Sequence, residues 1–173
     1  MKRFFLLAIA LLLPLSIFAA LPLGKVPPVV MLQGDDGGRV DGSPWSSEEI
    51  SGKVFIMFYV DPDEKNLNDH VSLRLKEESF SPNHFASIAV INMDATWLPN
   101  SMIASSLKEK QKEFPLTTYV KDMEKVLVDK WDLGDDTSNV VAFDRKGQVI
   151  FSKDGKLSAS EVDTLISSIK AKL

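Results

Sequence analysis

Asp61, Asp63, Glu64, Asp69 and His70 lie close together in the chain and are the densest group of side chains with chemical capability. Carboxylate oxygens with one imidazole suit a hard or borderline divalent cation. The order departs from the EF-hand loop, because Lys65 stands at its fifth position and no glycine stands at its sixth. The same residues equally suit a turn and a helix start, where the helix dipole favours carboxylates. A second acidic patch follows at Asp132, Asp135 and Asp136. Carboxyl groups held across a shallow groove raise each other's pKa and can serve acid–base chemistry; dispersed in solvent they form only a charged rim. His84 follows Pro82-Asn83 with no Asp or Ser placed as in a catalytic triad. The chain has no G-x-S-x-G, H-E-x-x-H, P-loop or G-x-G-x-x-G element. Trp45, Trp97 and Trp131 have two readings, as core plugs beside loops or, for Trp97 and Trp131, as aromatics projecting into a binding groove.

The 173 residues are 45% hydrophobic and 25% charged, which suits one domain with a sizeable core. None is cysteine, so thiol redox catalysis, Fe–S clusters and thiolate zinc sites are excluded. Met1-Lys2-Arg3, the uncharged run Phe4 to Leu13 and the small residues Ala19 and Ala20 have the layout of a secretory signal peptide. Residues 1–20 are therefore expected to be a signal cleaved after Ala19 or Ala20, with 21–173 as one domain. The alternative is an uncleaved anchor, since Phe4 to Leu23 carries no charge. Without Lys2 and Arg3, 18 basic residues remain against 24 acidic ones, a formal charge of −6. An exported acidic chain is a poor nucleic-acid binder, which needs a basic face.

The acidic segment follows the strongest strand signal, Val54-Phe55-Ile56-Met57-Phe58-Tyr59-Val60, seven apolar residues that read as a central strand buried on both faces. Leu67, Val71 and Leu75 then predict a helix over 64–78. A strand over 87–93 and a helix over 100–114, ended by Pro115, come next. Residues 117–121 and 126–128 read as short β or irregular segments. Strands over 140–143 and 148–151 flank the turn Asp144-Arg145-Lys146-Gly147. Ser158 and Glu161 make a capping box for a last helix over 158–172, with Val162, Leu165, Ile166 and Ile169 as its apolar stripe. Ahead of all this, Val29 to Leu32 and Arg39-Val40-Asp41 predict a hairpin around the turn at 34–38.

The order β-α-β-α-β-β-α resembles the thioredoxin-like fold, an α/β mixed sheet with helices on both faces. The leading hairpin is similar to the extension of peroxiredoxins and TlpA-like thioredoxins. In redox-active members the nucleophilic cysteine sits where the central strand meets the next helix. Here Asp61-Pro62-Asp63-Glu64-Lys65 holds that place. The resemblance also implies a cis-proline opposite that cysteine, and Ser138 stands near its position. Thiol–disulfide and peroxidatic chemistry is therefore excluded.

A closer resemblance rests on Trp131-Asp132-Leu133, Asp135-Asp136, Ser138, Val140-Val141, Asp144-x-x-Gly147 and Lys153-Asp154-Gly155-x-Leu157-Ser158-x-x-Glu161-Val162. Gly24-Lys25-Val26-Pro27, Gly52-Lys53-Val54, Lys65-Asn66 and Ile91-Asn92 agree with it. This pattern resembles the YtfJ family of periplasmic, thioredoxin-like proteins of Gram-negative bacteria. The family supplies no catalytic residues to carry over; its members are sometimes labelled regulators. The expectation is a periplasmic adaptor or chaperone-like module, without cofactor, metal or nucleic acid. It would engage an envelope protein or extended peptide through Asp61, Asp63, Glu64, His70, Trp131, Asp135, Asp136 and Ser138. The alternative reading is a metal-assisted or carboxylate-based hydrolase using the same acidic cluster.

Overall fold

Seven consecutive apolar residues between Lys53 and Asp61 leave no solvent-tolerant face, so they fold only as a strand covered on both sides. In the computed structural model, which describes residues 21–173, that strand is the centre of a six-stranded sheet. The signal-peptide reading of residues 1–20 lies outside the described residues.

In chain order the elements are β1 (Met31–Leu32), β2 (Gly37–Arg39), β3 (Trp45–Ser46) and β4 (Val54–Val60), then α1 (Asp69–Glu78), β5 (Phe85–Asn92) and α2 (Asn100–Glu113). β6 (Thr117–Asp122), α3 (Val126–Trp131), β7 (Ser138–Phe143), β8 (Val149–Asp154) and α4 (Ala159–Lys170) complete them. The main sheet runs β2-β6-β5-β4-β7-β8. β4, β5 and β6 are parallel; β7 and β8 are antiparallel to their neighbours. Alternate residues of β4 feed two cores. Val54 and Ile56 meet α1 and α4 through Val71, Leu165 and Ile169. Met57 and Tyr59 face α3 and the N-terminal strands through Leu127, Trp131, Leu32 and Trp45. α2 joins the first face, with Ile103 and Leu107 packed on Ile91 near Val60 and Tyr119.

Three expectations are corrected. β1 pairs with β3, Leu32 opposite Trp45, instead of forming a hairpin with residues 39–41. Gly37–Arg39 instead adds an antiparallel edge to β6. That approach requires glycine: a Cβ on Gly37 would lie 2.0 Å from the Lys121 carbonyl oxygen. Of the two alternatives for residues 117–121 the structure takes β, a full strand over 117–122, so α2 crosses to β6 before the chain returns to β7. Residues 126–131 are helical because the Asp122 carboxylate accepts from the Val126 and Leu127 N–H groups, both at 2.9 Å, and fixes the first turn. The helix expected from residue 64 begins at Asp69, after a 3₁₀ turn over Pro62–Glu64.

Candidate functional site

In open α/β sheets, ligands bind beyond the carboxyl ends of parallel strands, where strand order reverses. Here that place lies beyond Val60 and Asn92, beside the start of β7. Val60 stands opposite Ser138, and the Asp61 N–H donates to the Thr137 carbonyl oxygen at 3.0 Å. The two acidic patches therefore meet, bringing Asp61, Asp63 and Glu64 together with Asp136.

Asp61 is 4% exposed, and its carboxylate accepts from the Asp63 N–H at 2.8 Å. Burial raises its pKa. The Asp63 N–H opposes that rise, while the negative charges of Asp63, Asp136 and Glu64 add to it. Asp63, Glu64 and Asp136 are exposed. Asp136 holds φ at 51°, a left-handed conformation that Asp tolerates, and its N–H donates to Asp135 Oδ1 at 3.0 Å.

Asp135 turns toward β5, accepting from Asn92 Nδ2 at 2.9 Å and from Lys125 Nζ at 2.8 Å. Burial pushes its pKa up. The Lys125 ammonium, the Asp136 N–H and the Asn92 amide outweigh that and hold it below the usual range. Lys125 in turn is raised, first by its bond to Asp135, with Asp94 at 3.7 Å adding to the effect.

Behind this rim lies a layer of buried polar side chains. Tyr59 Oη donates to Asp122 Oδ2 at 3.2 Å. Asn139 closes the loop before β7 by accepting from the Gly134 N–H at 2.9 Å and donating to the Gly134 carbonyl at 2.8 Å. Asn68 donates to Ser138 Oγ (3.2 Å) and the Gly155 carbonyl (3.0 Å) and accepts from the Leu157 N–H (3.0 Å), tying α1, β7 and the approach to α4 together. Ser138 is thus buried beneath the rim. Asn68 and Asp122 carry no motif in the sequence, and Asn92 entered only as part of the Ile91-Asn92 pair of the family resemblance; the local signal for Asn92 was a polar residue closing an apolar strand.

Two of the sequence-selected residues lie elsewhere. His70 Nε2 is 2.9 Å from the Leu157 carbonyl, an acceptor, so the ring donates its proton there and holds α1 to the loop before α4. Trp131 is 3% exposed, packs on Phe143 with ring centroids 6.0 Å apart and donates to the Pro28 carbonyl at 2.8 Å. Trp131 and Trp45 are core plugs. Trp97 is 85% exposed on the loop between β5 and α2, at the acidic end of the sheet; its neighbour Leu98 packs in the cluster that holds Val60. Among the described residues no group of three His, Asp or Glu is arranged to hold a metal ion. With His70 turned away, the acidic residues have no adjacent imidazole base, so their arrangement is suited to an electrostatic surface.

Comparisons with known proteins agree with this description. The family model described as "Bacterial protein of unknown function (YtfJ_HI0045)" matches residues 30–172. An uncharacterized protein of Haemophilus influenzae is 29% identical over 129 residues, covering 73% of this chain and 70% of its own. The uncharacterized protein YtfJ of Escherichia coli is 26% identical over 154 residues, covering 84% and 83%. Among solved structures, a peroxiredoxin-like protein from Aquifex aeolicus superposes with a TM-score of 0.62 at 12% identity, over 90% of each chain. A thiol-disulfide isomerase from Corynebacterium glutamicum gives 0.59 at 18%, covering 83% of this chain and 97% of that one. At such identities these neighbours show the fold alone, and that fold is thioredoxin-like.

Proposed function

The chain belongs to the YtfJ family, and we propose that it is a non-catalytic binding module of the bacterial periplasm that engages polypeptide at the acidic end of its sheet. With no cysteine in the chain, the stretch from Asp61 to Lys65 holds the place that the resemblance gives to the redox thiol, and the Asp61 carboxylate there is already engaged by a backbone N–H. The observation that carries the reading is Trp97. A large aromatic side chain 85% exposed at the rim suits a binding anchor, and Met102, in the first turn of α2 that follows, is 62% exposed. The rim's carboxylates beside that anchor contribute steering and selectivity more than raw affinity. Export rests on the layout of residues 1–20, and no described helix is long and apolar enough to cross a membrane.

The test is in-cell crosslinking of the tagged full chain, followed by fractionation and mass spectrometry. One envelope polypeptide should be recovered repeatedly with a periplasmic form beginning at Ala20 or Leu21. It should be lost when Asp63→Asn and Asp136→Asn are combined. Recovery of no partner, or of one indifferent to both substitutions, contradicts the reading; retention in the cytoplasm contradicts the compartment.

A further inference from the structure

At the opposite end of the sheet, where β4 begins, residues 26–29 and 47–51 and the turn between β7 and β8 enclose a cleft of about 200 Å³. Trp131 and Phe143 line it together with Val26, Val29 and Ile50. Val26 and Val29 are 59% and 62% exposed, and Leu23 and Met31 continue the apolar surface at 64% and 49%.

The charge around it is opposite to that of the rim. Lys146 lines the cleft, Lys25 adjoins Val26, and Lys172 lines the neighbouring depression with Gly24. All three are exposed and enter no ion pair among the described residues. Arg145 stands in the same turn, its guanidinium donating to the carbonyl of Leu173 and its own carbonyl accepting from the Gly52 N–H at 2.9 Å. Two carboxylates stand against them: Glu48 lines the cleft, and Asp144, buried and accepting from the Lys146 and Gln148 N–H groups, lines the depression. On a chain of net charge −4, unpaired lysines gathered around an apolar cleft are selective for an anionic partner.

We propose that this cleft is a second docking site, which takes a polypeptide segment inserting one large apolar side chain with carboxylates beside it. The concavity favours an inserted side chain over a flat bilayer, and the lysines exclude a basic segment. The inference does not depend on the function assigned to the acidic rim, because it uses none of those residues.

Titration of the isotopically labelled full chain with N-acetyl-Asp-Asp-Phe-Asp-Asp-amide tests it by amide chemical shifts. Saturable shifts are expected at Val26, Val29, residues 47–51 and residues 146–147. Lys25→Glu combined with Lys146→Glu should weaken binding at least about tenfold, and the same charge reversal at Lys108, exposed on α2, should leave it unchanged. No shift up to about 5 mM peptide overturns the proposal. So does an equal response to the peptide with Lys in place of Asp. Sedimentation with phosphatidylglycerol vesicles that the two lysine substitutions abolish, without peptide shifts, would assign the face to a membrane and likewise overturn it.

Discussion

The two ends of β4 are built on different physics. Its amino end opens onto a cleft lined by Val26, Val29, Ile50, Trp131 and Phe143 and flanked by lysines. Its carboxyl end leads to Asp61 and a roof of buried polar groups, Asn68, Asn92, Asp122 and Asn139, each hydrogen-bonded. Apolar packing is tolerant of shape and depends on area, whereas a buried polar layer fails when one member is removed. The docking proposed at the cleft end therefore rests on apolar area. The acidic end instead holds a fixed constellation of charges on a rigid base.

The largest effect is expected where Trp131 is lost. Trp131→Ala removes a buried indole and leaves the Pro28 carbonyl without its donor, which should cost about 3–5 kcal/mol in urea unfolding. The counterpart at the acidic end is Asn68→Ala, which strands the Leu157 N–H and the Gly155 carbonyl and should cost about 2–3 kcal/mol. A loss below about 0.5 kcal/mol there would show that the polar roof contributes little to stability. Next comes the α4 cap: Ser158→Ala should cost about 1 kcal/mol.

The pH dependence separates the groups further. Glu161, held at about 2 by the Ser158 N–H, Lys153 and the Ser158 hydroxyl, stabilises the fold above its ordinary value of 4.5, and that contribution fades as pH falls toward 2. Asp61 has the opposite sign. Its pKa is raised in the fold, so its protonated form is favoured and stability is lost as pH rises from 3.8 through the folded value. Asp61→Asn should therefore melt above the parent at pH 7, with the gap closing toward pH 3.8 in thermal scans. Trp97→Ala should move stability by no more than about 0.5 kcal/mol while reducing partner capture.

Much of this architecture is written in local pattern. The seven apolar residues of β4 and the capping box of α4 each specify an element without help from distant residues, and both stand where the sequence predicts. α3 could not be read that way. Val126-Leu127-Val128 favours strand by composition, and the helix forms because Asp122, at the end of another strand, caps it. The place of β2 was equally hidden, since Gly37–Arg39 has a partner only once β6 exists. At the candidate site, the position of Asp61 followed from its place after the central strand. The orientation of His70 depends on a carbonyl 87 residues away, and that of Asp135 on Lys125 and Asn92, for which no local spacing gives a signal.

Site-specific photocrosslinking in living cells reads out whether the acidic end of the sheet meets a polypeptide partner. A photoreactive phenylalanine analogue at position 97 should give one discrete adduct, while the same group at Ser105, exposed on α2, should give none. The adduct at position 97 should disappear when Asp63→Asn and Asp136→Asn are introduced together. No adduct at position 97, or the same adducts at both positions, would mean that the acidic end of the sheet does not engage a polypeptide partner.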